Sequence, residues 1–127
     1  MTTMEKNNIS LHHVSLVVSN TEKALQFYSE VLGLKSVARP DLGFPGAWFQ
    51  LGPQQIHILE LPNPDPATGR PEHGGRDRHV AFNVDDLDLV KAELDQKNII
   101  YTLSKSGRRA LFFRDLDGNA LEIIERS

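Results

Sequence analysis

The chain has 127 residues, a formal charge of −3 at neutral pH and 39% hydrophobic side chains, which suits one domain or two fused half-domains. The acidic balance excludes a general electrostatic attraction to nucleic acid, and no apolar run is long enough to span a bilayer. With no cysteine, disulfides, thiolate metal sites and a cysteine nucleophile are excluded, so any metal must be held by nitrogen and oxygen.

The apolar fraction is modest for a lone monomer and favours burial of further surface in a homodimer. No charged-then-apolar leader precedes the first apolar segment, so the chain reads as a soluble cytoplasmic protein. The polar opening MTTMEKNN is expected to fray. Leu11 to Val18 alternates as a strand, with His13, Ser15 and Val17 on one face and Val14, Leu16 and Val18 on the other. Ser19-Asn20-Thr21-Glu22 reads as a capping box. The helix that follows carries an apolar stripe of Ala24, Phe27, Tyr28 and Val31, and Gly33 is its expected left-handed terminator. Leu34 to Ala38 reads as a strand, Pro40 to Gly46 as a loop. Ala47–Leu51 and Gln55–Leu61 read as a hairpin across Gly52-Pro53.

The stretch 62–77, PNPDPATGRPEHGGRD, is rich in Pro and Gly and nearly devoid of apolar residues. It reads as a linker, with a substrate-covering role left open by its length. The same order then restarts. Arg78 to Val84 is a strand, Asp85 and Asp86 cap a helix with a Leu87, Val90, Leu94 stripe, and Asn98 ends it. Ile99–Leu103 is a strand. Ala110–Arg114 pairs with Ala120–Glu125 across a turn containing Asp117-Gly118, a strong hairpin signal. Each half is therefore β-α-β-β-β, with modules at 9–61 and 78–126 in one domain spanning 1–127.

This internal repeat aligns His13 with His79 and Glu60 with Glu122. Two imidazoles and two carboxylates make a ligand set suited to one divalent transition metal. Strand parity turns both His residues away from the helices. Glu60 shares the face of Ile56 and Ile58, where a carboxylate is costly to desolvate without a positive partner. His57 has the opposite parity and is assigned to the helix side or the surface; His12 faces away from His13; His73 lies in the linker. Arg39, Arg70, Arg76, Arg108 and Arg109 fall in or near loops, where they serve as surface charge or meet substrate carboxylates.

The segments HHVSLVVSNTEKALQFYSEVLGL, RHVAFNVDDLD and RDLDGNALEI resemble the vicinal oxygen chelate superfamily, from about Ile9 to Glu125. That superfamily includes glyoxalase I, bleomycin-resistance proteins, ring-cleaving dioxygenases, fosfomycin-modifying enzymes and methylmalonyl-CoA epimerase. The resemblance implies an α+β fold in which two βαβββ modules form a cupped mixed sheet around one metal, often in a homodimer. It implies His13, Glu60, His79 and Glu122 as metal ligands, a set closest to glyoxalase I. It also implies a metal-stabilised enediolate, with Glu122 as the proton-transferring base and Glu60 second. The metal would be nickel, zinc, cobalt, manganese or iron, and the partner a small-molecule substrate. The same resemblance leaves open an extradiol dioxygenase, a thiol transferase, or a non-catalytic small-molecule binding protein.

Overall fold

The computed structural model describes residues 1–127. Its first half contains helix α1 (Thr3–Lys6), strand β1 (His13–Val18), helix α2 (Thr21–Leu32), and strands β2 (Lys35–Val37), β3 (Gly46–Leu51) and β4 (Gln54–Glu60). The second half contains β5 (His79–Val84), α3 (Leu87–Gln96), β6 (Thr102–Leu103), β7 (Ala110–Arg114) and β8 (Ala120–Glu125). Each half makes its own four-stranded sheet, ordered β1-β4-β3-β2 and β5-β8-β7-β6. In both, the first strand pairs parallel with the last and the rest pair antiparallel. A parallel pair needs a crossover, and the helix after each first strand begins it. This is the α+β arrangement of two βαβββ modules expected from the sequence.

Several local expectations are corrected. The opening residues include a one-turn helix whose start is closed reciprocally by Thr2 and Glu5, with nothing buried. The cap of α2 is Asn20, whose side chain accepts from Lys23 N–H, rather than Ser19, whose N–H donates to Asp117 of the second module. The expected strand at 99–103 shrinks to Thr102–Leu103. Gly33 does end α2, at φ 67°. Asn98, at φ 56°, follows α3 in the same left-handed region.

The two modules share one core. Val18, Phe27, Tyr28, Phe49, Ile56 and Ile58 of the first half join Leu87, Leu94, Leu111, Phe113, Leu121 and Ile123 of the second in a single buried cluster. Helix α2 lies between the sheets: Tyr28 meets Phe49 of β3 at 5.8 Å and Phe27 meets Phe113 of β7 at 6.3 Å. The Tyr28 hydroxyl donates to buried Asp115 at 2.7 Å, and Asn119 donates to the Val17 carbonyl at 3.0 Å. Burial first, then the Asp115 charge, pushes the Tyr28 hydroxyl well above its ordinary titration range. The faces that carry Val14, Leu16, Ile56, Ile58, Leu121 and Ile123 thus look inward. The alternate faces look outward.

The 62–77 linker is docked rather than loose. Asp77 pairs with Arg70 at 3.0 Å and with Arg114 of β7 at 2.9 Å. Arg114 also donates to the Pro71 and Gly118 carbonyls at 2.6 and 2.7 Å. Gly74 opens a single 3₁₀ turn (Gly74–Arg76) that lies on the outer face of the second sheet. A Cβ on Gly74 would sit 3.1 Å from Phe112 Cβ, so glycine lets the turn lie close against β7 where a side chain would be crowded.

Candidate metal centre

The strand register redraws the internal repeat. Ser15 lies opposite His57 and Val18 opposite Glu60 in the first sheet. Ala81 lies opposite Glu122 and Val84 opposite Glu125 in the second. The counterpart of Glu122 is therefore His57, and the counterpart of Glu60 is Glu125. The sequence carried this signal: IHILE and LEIIE superpose when the repeat is shifted by three residues. Pairing Glu60 with Glu122 hid it, because the parity of His57 was then counted from a residue on the wrong face.

Ile56 and Ile58 decide that face. Both are buried in the shared core, which places Glu60 on the inward side of β4. Its carboxylate accepts Thr21 N–H at 2.7 Å, at the start of α2. Glu125 does the same for Leu87 N–H at 2.9 Å, at the start of α3. Both serve free donors at helix N-termini, where negative charge is favoured. Arg109, followed by this backbone bond, holds the Glu125 carboxyl below the usual range.

His57 is on the outer face, not on the helix side or the open surface. It is stacked between Trp48 (4.2 Å, 8°) and His13 (4.0 Å, 15°). Its tautomer is fixed by a relay of amides. The Gln50 side-chain amide donates to the Gly52 and Gln54 carbonyls, which leaves its oxygen to accept from Gln55 at 2.7 Å. The Gln55 oxygen then accepts from His57 Nε2 at 2.8 Å. Nε2 thus carries the proton and Nδ1 keeps its lone pair. Burial, then the charges of His13, His12 and Arg39, holds the His57 ring below its ordinary titration range. A neutral imidazole with one free nitrogen is what a metal ligand requires. His12 does not simply face away from His13: their Nδ1 atoms lie 2.8 Å apart.

His79 and Glu122 form the other half. A backbone carbonyl can only accept, so the 2.8 Å contact between His79 Nδ1 and the Asp77 carbonyl puts a proton on Nδ1. His79 Nε2 then points at Glu122 Oε1, 3.1 Å away. In the neutral ring this is a lone pair facing a carboxylate, which requires a cation or a proton between them. Glu122 is 2% exposed and its other oxygen meets only Arg108, at 3.4 Å. The pocket there, about 290 Å³, is lined by His73, Arg76, Lys105, Arg108 and Phe112 besides the pair.

Each half supplies two outward-facing donors, but no three His, Asp or Glu side chains of one chain converge on a common point. The fit to a divalent cation is chemical: three imidazoles and one carboxylate, with free donor atoms at His57 Nδ1 and His79 Nε2. Glu60 is not among the groups brought together.

The sequence matches the family described as the Glyoxalase/Bleomycin resistance protein/Dioxygenase superfamily over residues 10–123. It is 32% identical over 120 residues to Glyoxylase I 4 of Arabidopsis thaliana, covering 90% of this chain and 69% of that protein. The structure resembles that of a putative glyoxalase family protein from Bacillus anthracis, with a TM-score of 0.75, 28% identity and coverage of 94% and 96%. It also resembles a lactoylglutathione lyase from Agrobacterium tumefaciens, with a TM-score of 0.66, 25% identity and coverage of 91% and 92%. No helix is long and apolar enough to cross a membrane. This chain, with its paired modules and outward-facing His and Glu side chains, belongs to the glyoxalase/bleomycin resistance protein/dioxygenase superfamily.

Proposed function

We propose that this protein is a divalent-metal-dependent lyase or isomerase of glyoxalase type, acting as a homodimer on a small substrate with two adjacent oxygens. The metal would be held by His13 and His57 of one copy together with His79 and Glu122 of the other. The carrying observation is the opposed pair of acceptors at His79 Nε2 and Glu122 Oε1, which a shared cation would satisfy. The two-copy assembly is supported by the shared core, which turns both donor-bearing faces outward. It takes His57, not Glu60, as the fourth donor, because the Glu60 carboxylate is committed to α2.

When bound, such a metal supplies Lewis-acid polarisation of the substrate oxygens. Glu122 is the proton carrier, its buried carboxylate receiving a proton from a substrate carbon at Oε1 or Oε2 and returning it to the neighbouring carbon. His79 is oriented for its role by the Asp77 carbonyl. Phe112, whose ring meets His79 edge-on at 5.3 Å, lines the same pocket as the carboxylate. The glyoxalase relatives favour a 2-oxoaldehyde adduct of a thiol as substrate.

The test is metal content of protein purified without chelator, followed by turnover of methylglyoxal with glutathione, wild type beside Glu122→Gln. The variant should lose activity by about 10²–10⁴-fold. Protein that binds no divalent metal would end the metal reading. Metal binding with no turnover of any 2-oxoaldehyde adduct would end the glyoxalase assignment alone.

A further inference from the structure

The outer face of the first sheet carries a charge that the metal reading does not use. Arg39 follows β2 and lies on the same face as Val37, Trp48 and His57, by the pairing of Val37 with Trp48 and of Trp48 with His57. Its guanidinium packs against the Phe44 ring and Gly46. The Phe44 ring is 4.9 Å from Arg39 Cζ. A Cβ built on Gly46 would collide with the Ile58 carbonyl and lie 3.0 Å from Arg39 Cζ and Nη2. Glycine at 46 is required first by the Ile58 carbonyl, and it also leaves the space in which this side chain rests. Two of its nitrogens, Nε and Nη2, are buried without a hydrogen-bond partner. No carboxylate pairs with it, although most other arginines of the chain are in ion pairs. An immobilised guanidinium with unsatisfied donors is a site waiting for an anion.

We infer that Arg39 is a specificity-determining residue, holding a carboxylate or phosphate group of the substrate beside the His13–His57 half of the site. This deepens the functional reading above and rests on it for the location of the reacting atoms. A guanidinium fork carries paired donors that suit a planar or tetrahedral oxyanion, a geometry a lysine cannot reproduce. The Trp48–His57–His13 stack next to it offers an aromatic wall for the rest of the ligand. The pocket at His79 and Glu122 is bordered by Arg76, Lys105 and Arg108, so the face proposed to oppose Arg39 also favours an acidic ligand. Neutral 2-oxoaldehydes without an anionic group would be poor ligands at this position.

The experiment is calorimetric titration of metal-free protein with inorganic phosphate and, separately, with succinate, for wild type, Arg39→Gln and Arg39→Lys. Mn²⁺ binding is measured on the same three preparations. Wild type should bind at least one of the two anions saturably; Arg39→Gln should weaken that binding at least 10-fold, and Arg39→Lys by a smaller factor. Mn²⁺ should still bind saturably to all three, which also shows that the variants are folded. The preferred anion tells phosphate-bearing from carboxylate-bearing substrates. No saturable binding of either anion by wild type, or equal binding by Arg39→Gln, overturns the inference. Absence of Mn²⁺ binding by wild type strikes the metal reading instead and leaves the anion result to be read separately.

Discussion

Glu60 and Glu125 occupy the same place in the two modules, and each carboxylate accepts the first backbone N–H of its own module's helix, Thr21 at 2.7 Å and Leu87 at 2.9 Å. The strand that ends each module thereby ties down the helix that began it. Once this pair is recognised, the other pair, His57 and Glu122, falls on the outer face in register.

The two glutamates of the sequence-derived ligand set should therefore behave differently. Glu60→Gln is expected to cost about 1 kcal/mol of stability, as loss of a helix N-terminal acceptor does, and to leave Mn²⁺ affinity unchanged. Glu122→Gln should weaken Mn²⁺ binding by 10-fold or more. Thermal unfolding and a metal titration on each variant decide it; a Glu60→Gln protein that is stable but no longer binds metal would restore Glu60 as a ligand.

Trp48 is the only tryptophan and is stacked on His57, so its fluorescence should change as Mn²⁺ is added. His57→Ala should abolish that response. Gln55→Leu removes the acceptor that fixes the His57 tautomer and is expected to lower metal affinity about 10–100-fold, the usual effect of losing such a support. Full affinity in Gln55→Leu would show that the amide relay does not orient the ring.

Two defective proteins should complement each other. His13→Ala/His57→Ala lacks one half of the proposed site and His79→Ala/Glu122→Gln lacks the other. If the site joins two copies, neither binds Mn²⁺ tightly alone. After unfolding and refolding together, mixed dimers should regain one intact site each. No recovery in a mixture shown to contain mixed dimers would place the ligands within a single chain.

Asp77 is held at a pKa of about 2, chiefly by its hydrogen bond to Arg70 and also by that to Arg114. Its folded value lies below its ordinary one, so the unfolded chain binds the proton more readily. Its contribution is complete above about pH 4 and is lost as the pH falls toward 2. Protease cleavage within residues 62–77 should rise over that window. Asp77→Asn should show easy cleavage already at neutral pH and a stability loss of about 2 kcal/mol, the scale for hydrogen bonds to charged groups.

A related loss is expected in the core. Tyr28→Phe removes a 2.7 Å donor from the buried Asp115 carboxylate and should destabilise the protein by about 1–3 kcal/mol. Chemical denaturation checks this, and a change within about 0.5 kcal/mol would mean that Asn119 and the turn amides suffice for Asp115.

The repeat, the strand–helix–strand order and the outward turn of His13 and His79 were legible in the amino-acid order, because alternation and helical spacing are local properties of the chain. So were the αL terminator at Gly33 and the turn through Gly118. The ligand set was only partly legible. The IHILE–LEIIE match and the Glu60–Glu122 match competed in the sequence, and choosing between His57 and Glu60 needs the register of β4 against β1, a contact between segments about 40 residues apart. The burial of Ile56 and Ile58 sets that register, since a slip by one residue would expose both. The docking of the linker by Asp77 and the packing of Arg39 against Gly46 were likewise invisible in advance. Each depends on a partner brought close only when the two sheets close around their common core.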